Sequence, residues 1–437
     1  MSATVQSAFD LAIAANGPRR PLRVALLGFG TVGQSVARIF AERPELADRL
    51  HLTHVYNRGV SRKRVDWISG QVTWTERLEE VFSSAPDVVV EVMGGVEPAF
   101  SIVKQAMEQG ASVVTANKML LAAHGPELLA LASTRGIQLR FEAAVGGGVP
   151  LIHGIREGLA GDQLTGVAGI LNGTCNYILS RMQETDEDMA PVLADAQRLG
   201  YAEADPTADV DGHDAGAKLV VLAGIAFQRF LAADAIPKRS IRPISSADFR
   251  YARRLDCTIR QVSEVRGAED GFCASVGPTL VANHSSFGRN EGANNVVSIY
   301  GRYGGESAFS GAGAGGPATA VAVVSDLLAL THRLRNGAEE WLPGRLVGPP
   351  PRPYYLRFTV KDQPGIMATI AAALARQHVN VDALLQEPGF PKEALPFVVT
   401  VDACEEGALR AALDEIEKAD WHAQPPLALP MLLPGNS

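Results

Sequence analysis

The chain changes its hydrophobic rhythm twice. In its first third, short unbroken apolar runs alternate with amphipathic stretches. LRVALL (22–27), a β-branched and leucine-rich run, reads as a strand covered on both faces, and HLTHVYN (51–57), VVVEVMGG (88–95), ASVVTA (111–116) and IQLRFEA (137–143) continue the series. Between them, QSVARIFAERPEL (34–46) and the stretches 98–109 and 119–135 place apolar residues at helical spacing. This alternation predicts an α/β doubly wound parallel sheet with helices on both faces.

After Pro150 the rhythm lengthens. VAGIL (167–171), CASVGPTLV (273–281) and NVVSIYG (295–301) read as strands, with helices at 176–183, 188–199, 212–227 and 243–256. The result is an α+β layer with an antiparallel or mixed sheet, suited to substrate binding and to dimerisation through its poorly covered strands. GAGAGGPATAVAVVSDLLAL, from Gly311, is a glycine turn entering an apolar helix that is expected to return to the first sheet. A proline-rich linker follows, and then the pattern β (355–360), α (366–377), β (379–386), β (396–403), α (405–419), β (421–428), a ferredoxin-like βαββαβ module with no catalytic set of its own. The expected boundaries are an N-terminal extension (1–21), a nucleotide domain (22–148 with 311–338), a substrate and dimerisation domain (149–310), the linker (339–353) and the module (354–430).

Composition narrows the function classes. A net charge of −8 disfavours nucleic acid and anionic membrane as partners, since both are polyanions. No apolar run is long enough to span a bilayer, and Asp10, Arg19 and Arg20 spoil the N-terminus as a signal peptide. Four scattered cysteines fit reduced thiols in the cytoplasm rather than a disulfide framework or a zinc site.

Five stretches carry candidate chemistry. Gly28-Phe29-Gly30-Thr31-Val32-Gly33 stands between a strand and a helix, the context in which G-x-G-x-x-G cradles a dinucleotide pyrophosphate. At the end of the second strand, where an NAD site carries an acid for the ribose 2′-hydroxyl, the chain has Asn57 and Arg58, then Arg62, Lys63 and Arg64. A basic end suits a 2′-phosphate, so the sequence points to NADP(H) ahead of NAD(H). Asn117-Lys118 ends another strand on the ligand side of the sheet. The segment 142–150, EAAVGGGVP, fits a domain hinge and also offers a carboxylate beside exposed carbonyls, the oxygen donors of a hard cation.

The fifth stretch, LGYAEADPTADVDGHDAGAK (199–218), sets Glu203, Asp205, Asp209, Asp211, Asp214 and Lys218 just before an apolar helix. Asp211 is placed to cap that helix, and Asp214 and Lys218 stand four apart on one face. The spacing fits either a capped helix with a surface ion pair or a pocket wall, with acids to hold an amine and a hydroxyl and a lysine to move a proton.

Taken in order, GFGTVG (28–33), TANK (115–118), EAAVGGGVP (142–150), LNGTCNYIL (171–179), the 200–218 block, GAGAGGPATA (311–320) and DQPG (362–365) resemble homoserine dehydrogenase, in the monofunctional form with a C-terminal ACT regulatory domain. The resemblance implies a Rossmann-type nucleotide domain and the reversible NAD(P)H-dependent reduction of L-aspartate 4-semialdehyde to L-homoserine. It implies Lys218 as proton donor and acceptor, Lys118 as a second lysine between nicotinamide and substrate, and Glu203, Asp209 and Asp214 as substrate ligands. Cofactor contacts are implied at Gly28, Phe29, Gly30, Thr31, Val32, Gly33, Arg58, Thr115, Lys118, Gly200, Glu203 and Gly315. Glu142 with backbone oxygens of Val145, Gly147 and Val149 matches a monovalent cation site, usually sodium. Threonine is the implied effector of the ACT domain, and a homodimer or homotetramer the implied assembly.

Overall fold

The computed structural model describes residues 20–331 and 339–433. The expected N-terminal extension lies outside them apart from its last two residues. The chain divides into two compact units, one formed by residues up to Gly148 with Gly315–Glu340, the other by Val149–Ala314 with Trp341 onward.

The first unit is a parallel sheet of six strands, β1 (Leu22–Leu27), β2 (Leu50–Tyr56), β3 (Thr73–Thr75), β4 (Val88–Glu91), β5 (Ser112–Thr115) and β6 (Leu139–Arg140), in the order β3-β2-β1-β4-β5-β6. This is the doubly wound, Rossmann-type layout, and its order reverses at β1, where nucleotides bind in such sheets. Val24, Leu26, Val88, Val90 and Val114 form its core. The expected strand 137–143 is cut to two residues. The chain then turns through a 3-10 segment, Glu142–Ala144, whose first N–H donates to the buried Asp326 carboxylate at 2.7 Å. Asp326 belongs to the Gly316–Leu330 helix, which packs on the Thr31–Glu42 helix so closely that a Cβ on Gly316 would lie 2.6 Å from Ser35 Oγ.

The second unit is built on β7 (Leu164–Ile170), β8 (Arg229–Phe230), β9 (Cys257–Ala268), β10 (Gly271–Ala282), β11 (Asn294–Gly301), β12 (Gly305–Ala312), β13 (Leu342–Pro343), β14 (Arg352–Val360), β15 (Val381–Leu385), β16 (Leu395–Cys404) and β17 (His422–Leu432). Nine of these make one mixed sheet, β12-β11-β7-β9-β10-β17-β14-β16-β15, and β8 pairs with β13 alone. The C-terminal module has the expected βαββαβ order, but its sheet is not separate. β17 pairs in parallel with β10, Leu280 opposite Met431, and so joins module and substrate layer.

β9, at the centre of that sheet, has no counterpart in the sequence reading. Its residues CTIRQVSEVRGA do not alternate, yet all but the last three are buried. Several of the polar ones find partners elsewhere in the chain: Arg260 donates to the carbonyls of Gly288 and Asn290, Gln261 Nε2 to that of Asp209, and Glu264 pairs with Arg352. Hydrophobic period reveals a strand only when neighbouring layers, not distant polar partners, cover its faces.

A second polar weld lies between the Ser246–Arg254 helix and β14. Arg357 Nη1 donates to Asp248 Oδ2 at 2.5 Å and to Ser245 Oγ at 2.7 Å, and Tyr355 donates its hydroxyl to Asp248 Oδ1 at 2.9 Å. Ser245 and Asp248 also form a capping box at the start of the helix. Asp248 is 0% and Arg357 4% exposed. Burial pushes the Asp248 carboxyl up, against the pull of the Arg357 charge and of its hydrogen bonds.

Candidate active site

In the first unit the glycine turn follows β1 directly. Gly28 sits at φ +104°, where a Cβ would come within 2.7 Å of Val92 O, and a Cβ on Gly33 would lie 2.1 Å from Gly28 O. These two glycines let the turn close and the helix approach the strand. Gly30 differs: a Cβ there meets nothing within 4 Å, so open space stands over the helix N-terminus, as a pyrophosphate requires. Thr31 opens the helix, with Val32 and Gly33 in its first turn. The Phe29 side chain is buried edge-on against Trp74, ring centroids 4.7 Å apart, which leaves only its backbone for a cofactor contact.

Beyond β2, Asn57, Arg58, Gly59, Arg62 and Lys63 line a cavity of about 410 Å³. Asn57 folds its Oδ1 back onto the Gly59 N–H at 3.0 Å, shaping the turn, and the three cationic residues around it are exposed. At the ends of β4 and β5, Thr115 Oγ1 donates to Glu91 at 2.6 Å, and Glu91 also takes the N–H groups of Met93 and Gly94. Glu91 is fully buried and was not singled out from the sequence; a lone acid ending a valine run was its only signal. Asn117 caps the next helix by accepting from Leu120 N–H, and Lys118 is that helix's first residue. Glu142 is 2% exposed, Gly146 and Gly147 turn with positive φ, and Val145 is buried. Gly315, at φ +110°, precedes the Gly316–Leu330 helix with open space where a Cβ would stand. Among the described residues no three His, Cys, Asp or Glu side chains gather as metal ligands. A cation at 142–149 would therefore rest on the Glu142 carboxylate and backbone oxygens.

In the second unit the acidic stretch separates into different fates. Asp214 and Lys218 lie one turn apart on the His213–Phe227 helix, with Lys218 Nζ donating to Asp214 Oδ2 at 2.7 Å and to the Leu171 carbonyl at 2.7 Å. Their side chains are 14% and 13% exposed. Two of the three ammonium donors are thereby placed, and the third is not taken up by any described residue. Asn172, 3% exposed, joins the carboxylates: its Nδ2 donates to Asp209 Oδ1 at 2.6 Å and to Asp214 Oδ2 at 2.9 Å, while its Oδ1 caps the Gly173–Thr185 helix through Cys175 N–H. Burial raises the Asp209 pKa, the Asn172 hydrogen bond opposes that, and the Asp214 charge adds to it. The sequence reading included Asn172 in a matched motif without giving it a job; an Asn just after a buried strand and before a helix was the available sign.

Asp211 does not cap the helix, contrary to expectation. The N-cap is Gly212, at φ +81°, with no side-chain cap. Asp211 Oδ1 instead accepts from Ser240 Oγ at 2.6 Å and Arg242 Nε at 3.2 Å, because the intervening left-handed glycine turns it away from the helix start. Asp205 accepts from Thr207 N–H in a local turn. Glu203 is exposed, its side chain making no hydrogen bond to the cluster among the described residues, but it lies near enough for its charge to raise Asp209. Gly200, at φ +80°, is exposed with open space at its Cβ position. Val149, the last residue of the supposed cation set, opens this unit and is buried.

Three family models match in chain order: the NAD-binding domain of homoserine dehydrogenase over 28–142, homoserine dehydrogenase over 150–328, and the ACT domain over 354–420. The homoserine dehydrogenase of Mycobacterium tuberculosis is 39% identical over 92% of this chain and 96% of its own length, and that of Pseudomonas aeruginosa 35% over 93% and 98%. A crystal structure of a homoserine dehydrogenase from Thiobacillus denitrificans superposes with a TM-score of 0.87 at 34% identity, covering 94% of this chain and 98% of that one. A hyperthermophilic archaeal homoserine dehydrogenase in complex with NADPH matches 72% of this chain and 99% of its own, with a TM-score of 0.62 and 26% identity. On these matches along nearly its whole length, the chain belongs to the homoserine dehydrogenase family.

Proposed function

We propose that Lys218 is the proton donor and acceptor of this enzyme, held by Asp214 and the Leu171 carbonyl with one N–H left for the substrate. Family membership makes the chain an NAD(P)-dependent oxidoreductase acting on a CH–OH group, interconverting L-aspartate 4-semialdehyde and L-homoserine. The bound nicotinamide supplies or accepts the hydride. What remains for the protein is orientation and a proton. As negative charge builds on the aldehyde oxygen, an ammonium stabilises it and then gives up its proton to it. Lys118 is assigned as the second lysine, while Glu203, Asp209 and Asp214 take the substrate's ammonium and hydroxyl ends.

The open space at Gly30 and the free first-turn N–H groups fit a pyrophosphate, and Gly200, Glu203, Thr115 and Gly315 are assigned further cofactor contacts. Arg58, with Arg62 and Lys63 around one cavity, favours the 2′-phosphate of NADP(H). Glu142 with the carbonyls of Val145, Gly147 and Val149 is assigned to sodium, whose hard charge suits an all-oxygen set. We assign threonine as effector of the ACT domain, a homodimer or homotetramer as the assembly, and the cytoplasm as the compartment; all four cysteines are free.

The observation that carries this reading is the Asn172–Asp209–Asp214–Lys218 network, which fixes a lysine's direction while leaving it a donor. Purified protein should oxidise NADPH only when aspartate semialdehyde is added. No turnover with that aldehyde, nor with homoserine and NADP in reverse, would overturn it.

A further inference from the structure

Glu91 ends β4 with a carboxylate that is 0% exposed, and no cationic side chain pairs with it among the described residues. A charge so placed is costly and persists only where donors surround it. Three do. Oε1 accepts from Met93 N–H at 2.7 Å and Gly94 N–H at 3.2 Å, and Oε2 accepts from Thr115 Oγ1 at 2.6 Å. Hydrogen bonds to a carboxylate are roughly twice as strong as neutral ones.

The bonds continue into a ring. Thr115 Oγ1 spends its one hydrogen on Glu91, so it can only accept elsewhere, and it takes Asn117 N–H at 3.0 Å. Asn117, 6% exposed, uses both ends of its amide. Its Nδ2 donates to Gly95 O at 2.6 Å, and its Oδ1 caps the Lys118–Arg135 helix through Leu120 N–H at 3.1 Å. Glu91, Gly94, Gly95, Asn117 and Thr115 therefore close a circuit that ties the turn after β4 to the turn after β5. Main-chain bonds anchor it to the sheet, Val92 N–H to Leu27 O at 3.0 Å and Ala116 N–H to Glu91 O at 3.2 Å.

Its place distinguishes this circuit from an ordinary turn brace. It stands at the carboxyl edge of the parallel sheet beside β1, where the strand order reverses and a doubly wound sheet takes its nucleotide. Gly94 turns at φ +75° with nothing within 4 Å of a Cβ position, so the braced backbone faces open space. The residue after Asn117 is Lys118, the first of its helix.

We propose that Glu91 is a positioning residue for hydride transfer, holding the Met93–Gly95 turn and Lys118 as one rigid edge of the nicotinamide site. This role rests on the assignments above of Lys118 and of the cofactor. Glu91 touches neither ligand and acts through the turn, Thr115 and Asn117. It also sets the polarity of Thr115, which can offer the cofactor an oxygen lone pair but no hydrogen.

The test uses the full chain and Glu91→Gln, which keeps the shape and reverses one bond. The single oxygen of the amide must serve Met93 and Gly94, so its nitrogen donates to Thr115 and releases the threonine's hydrogen. Without cofactor, hydrogen exchange of the 93–95 amides should quicken about three- to tenfold. At saturating NADPH, kcat should fall about 10- to 100-fold, with the Kd for NADPH within about threefold of wild type. The primary deuterium isotope effect, read with NADPH labelled at the transferred hydrogen, should rise as hydride transfer becomes limiting. Asn117→Asp keeps the helix cap but loses the donor to Gly95 O, and should move kcat and the isotope effect the same way. It decides the question if Glu91→Gln does not fold. A folded Glu91→Gln with wild-type kcat and isotope effect overturns the proposal. So does one that loses only melting temperature or NADPH affinity, one that loses kcat with amide exchange unchanged, or an Asn117→Asp with wild-type turnover. Failure of the functional reading shows separately, as a wild type that turns over neither aspartate semialdehyde nor homoserine, and takes this role with it.

Discussion

Two carboxylate–cation clusters in the second unit use the same chemistry to opposite ends. Around Asp248, one carboxylate meets one guanidinium, both are sealed from water, and each carboxylate oxygen is engaged. Around Lys218, one of two carboxylates that share the Asn172 amide also takes the ammonium, both ion-pair side chains keep some contact with solvent, and a donor is left over. The first arrangement is closed and can only hold: it fixes β14, and with it the C-terminal module, to the substrate layer. The second keeps an ammonium N–H that no described residue takes up. The surplus of negative charge, which helps raise Asp209, is what a substrate ammonium would offset.

This contrast can be broken from either end. The largest effect belongs to the closed cluster. Arg357→Ala leaves the Asp248 carboxylate buried and uncompensated, a loss of about 3–5 kcal/mol in chemical denaturation, while the kcat of molecules still folded stays near wild type. The sign with pH follows from the raised Asp248 pKa. Its contribution is fully present below the unfolded carboxyl pKa and falls as pH rises through the folded value; removal of Arg357 raises that value further, so the variant loses most stability towards neutral pH. A variant that lost activity per folded molecule instead would place the module weld inside the chemistry.

Asn172→Ala should come next, at about 1–3 kcal/mol of transition-state stabilisation, because two half-buried carboxylates lose their shared donor. Asp209 then rises further, so the acid limb of the kcat/KM profile should move to higher pH. A purely structural asparagine would lower the melting point and leave that limb in place. Arg58→Ala should raise the NADPH KM about tenfold, the ~1.4 kcal/mol of a solvent-exposed charged contact, and leave the NADH KM alone. Equal changes with both cofactors would remove the 2′-phosphate assignment. Smallest is Asp211→Asn: its partner Arg242 is half exposed, so stability should change by less than about 1 kcal/mol and kcat not at all. A larger loss of kcat would make the Ser240–Asp211 contact part of the active site.

The two clusters were also unequally legible in the sequence. Asp214 and Lys218 lie four apart, and helical spacing alone places them together. Asp248 and Arg357 are 109 positions apart, and no local period links them. The same rule runs through the fold. β1 was read to the residue because a buried parallel strand is a plain apolar run, followed here by Gly28 and Gly33, whose positions admit no Cβ. β9 was missed because polar residues in it, Arg260 and Glu264 among them, are buried against partners far along the chain. Asp211 was misjudged because a cap depends on the backbone turn at Gly212, which residue type does not reveal. Asn172 took part in a recognisable motif, but its bridging role appears only once two helices and a loop are in place.

The central claim is that Lys218 moves the proton. It is tested most directly by the turnover of Lys218→Ala with aspartate semialdehyde and saturating NADPH, beside a binding measurement for each ligand. The account predicts a kcat lower by about 10²–10⁴-fold with NADPH affinity unchanged. A kcat within a few-fold of wild type, in a protein that binds both ligands, would contradict it.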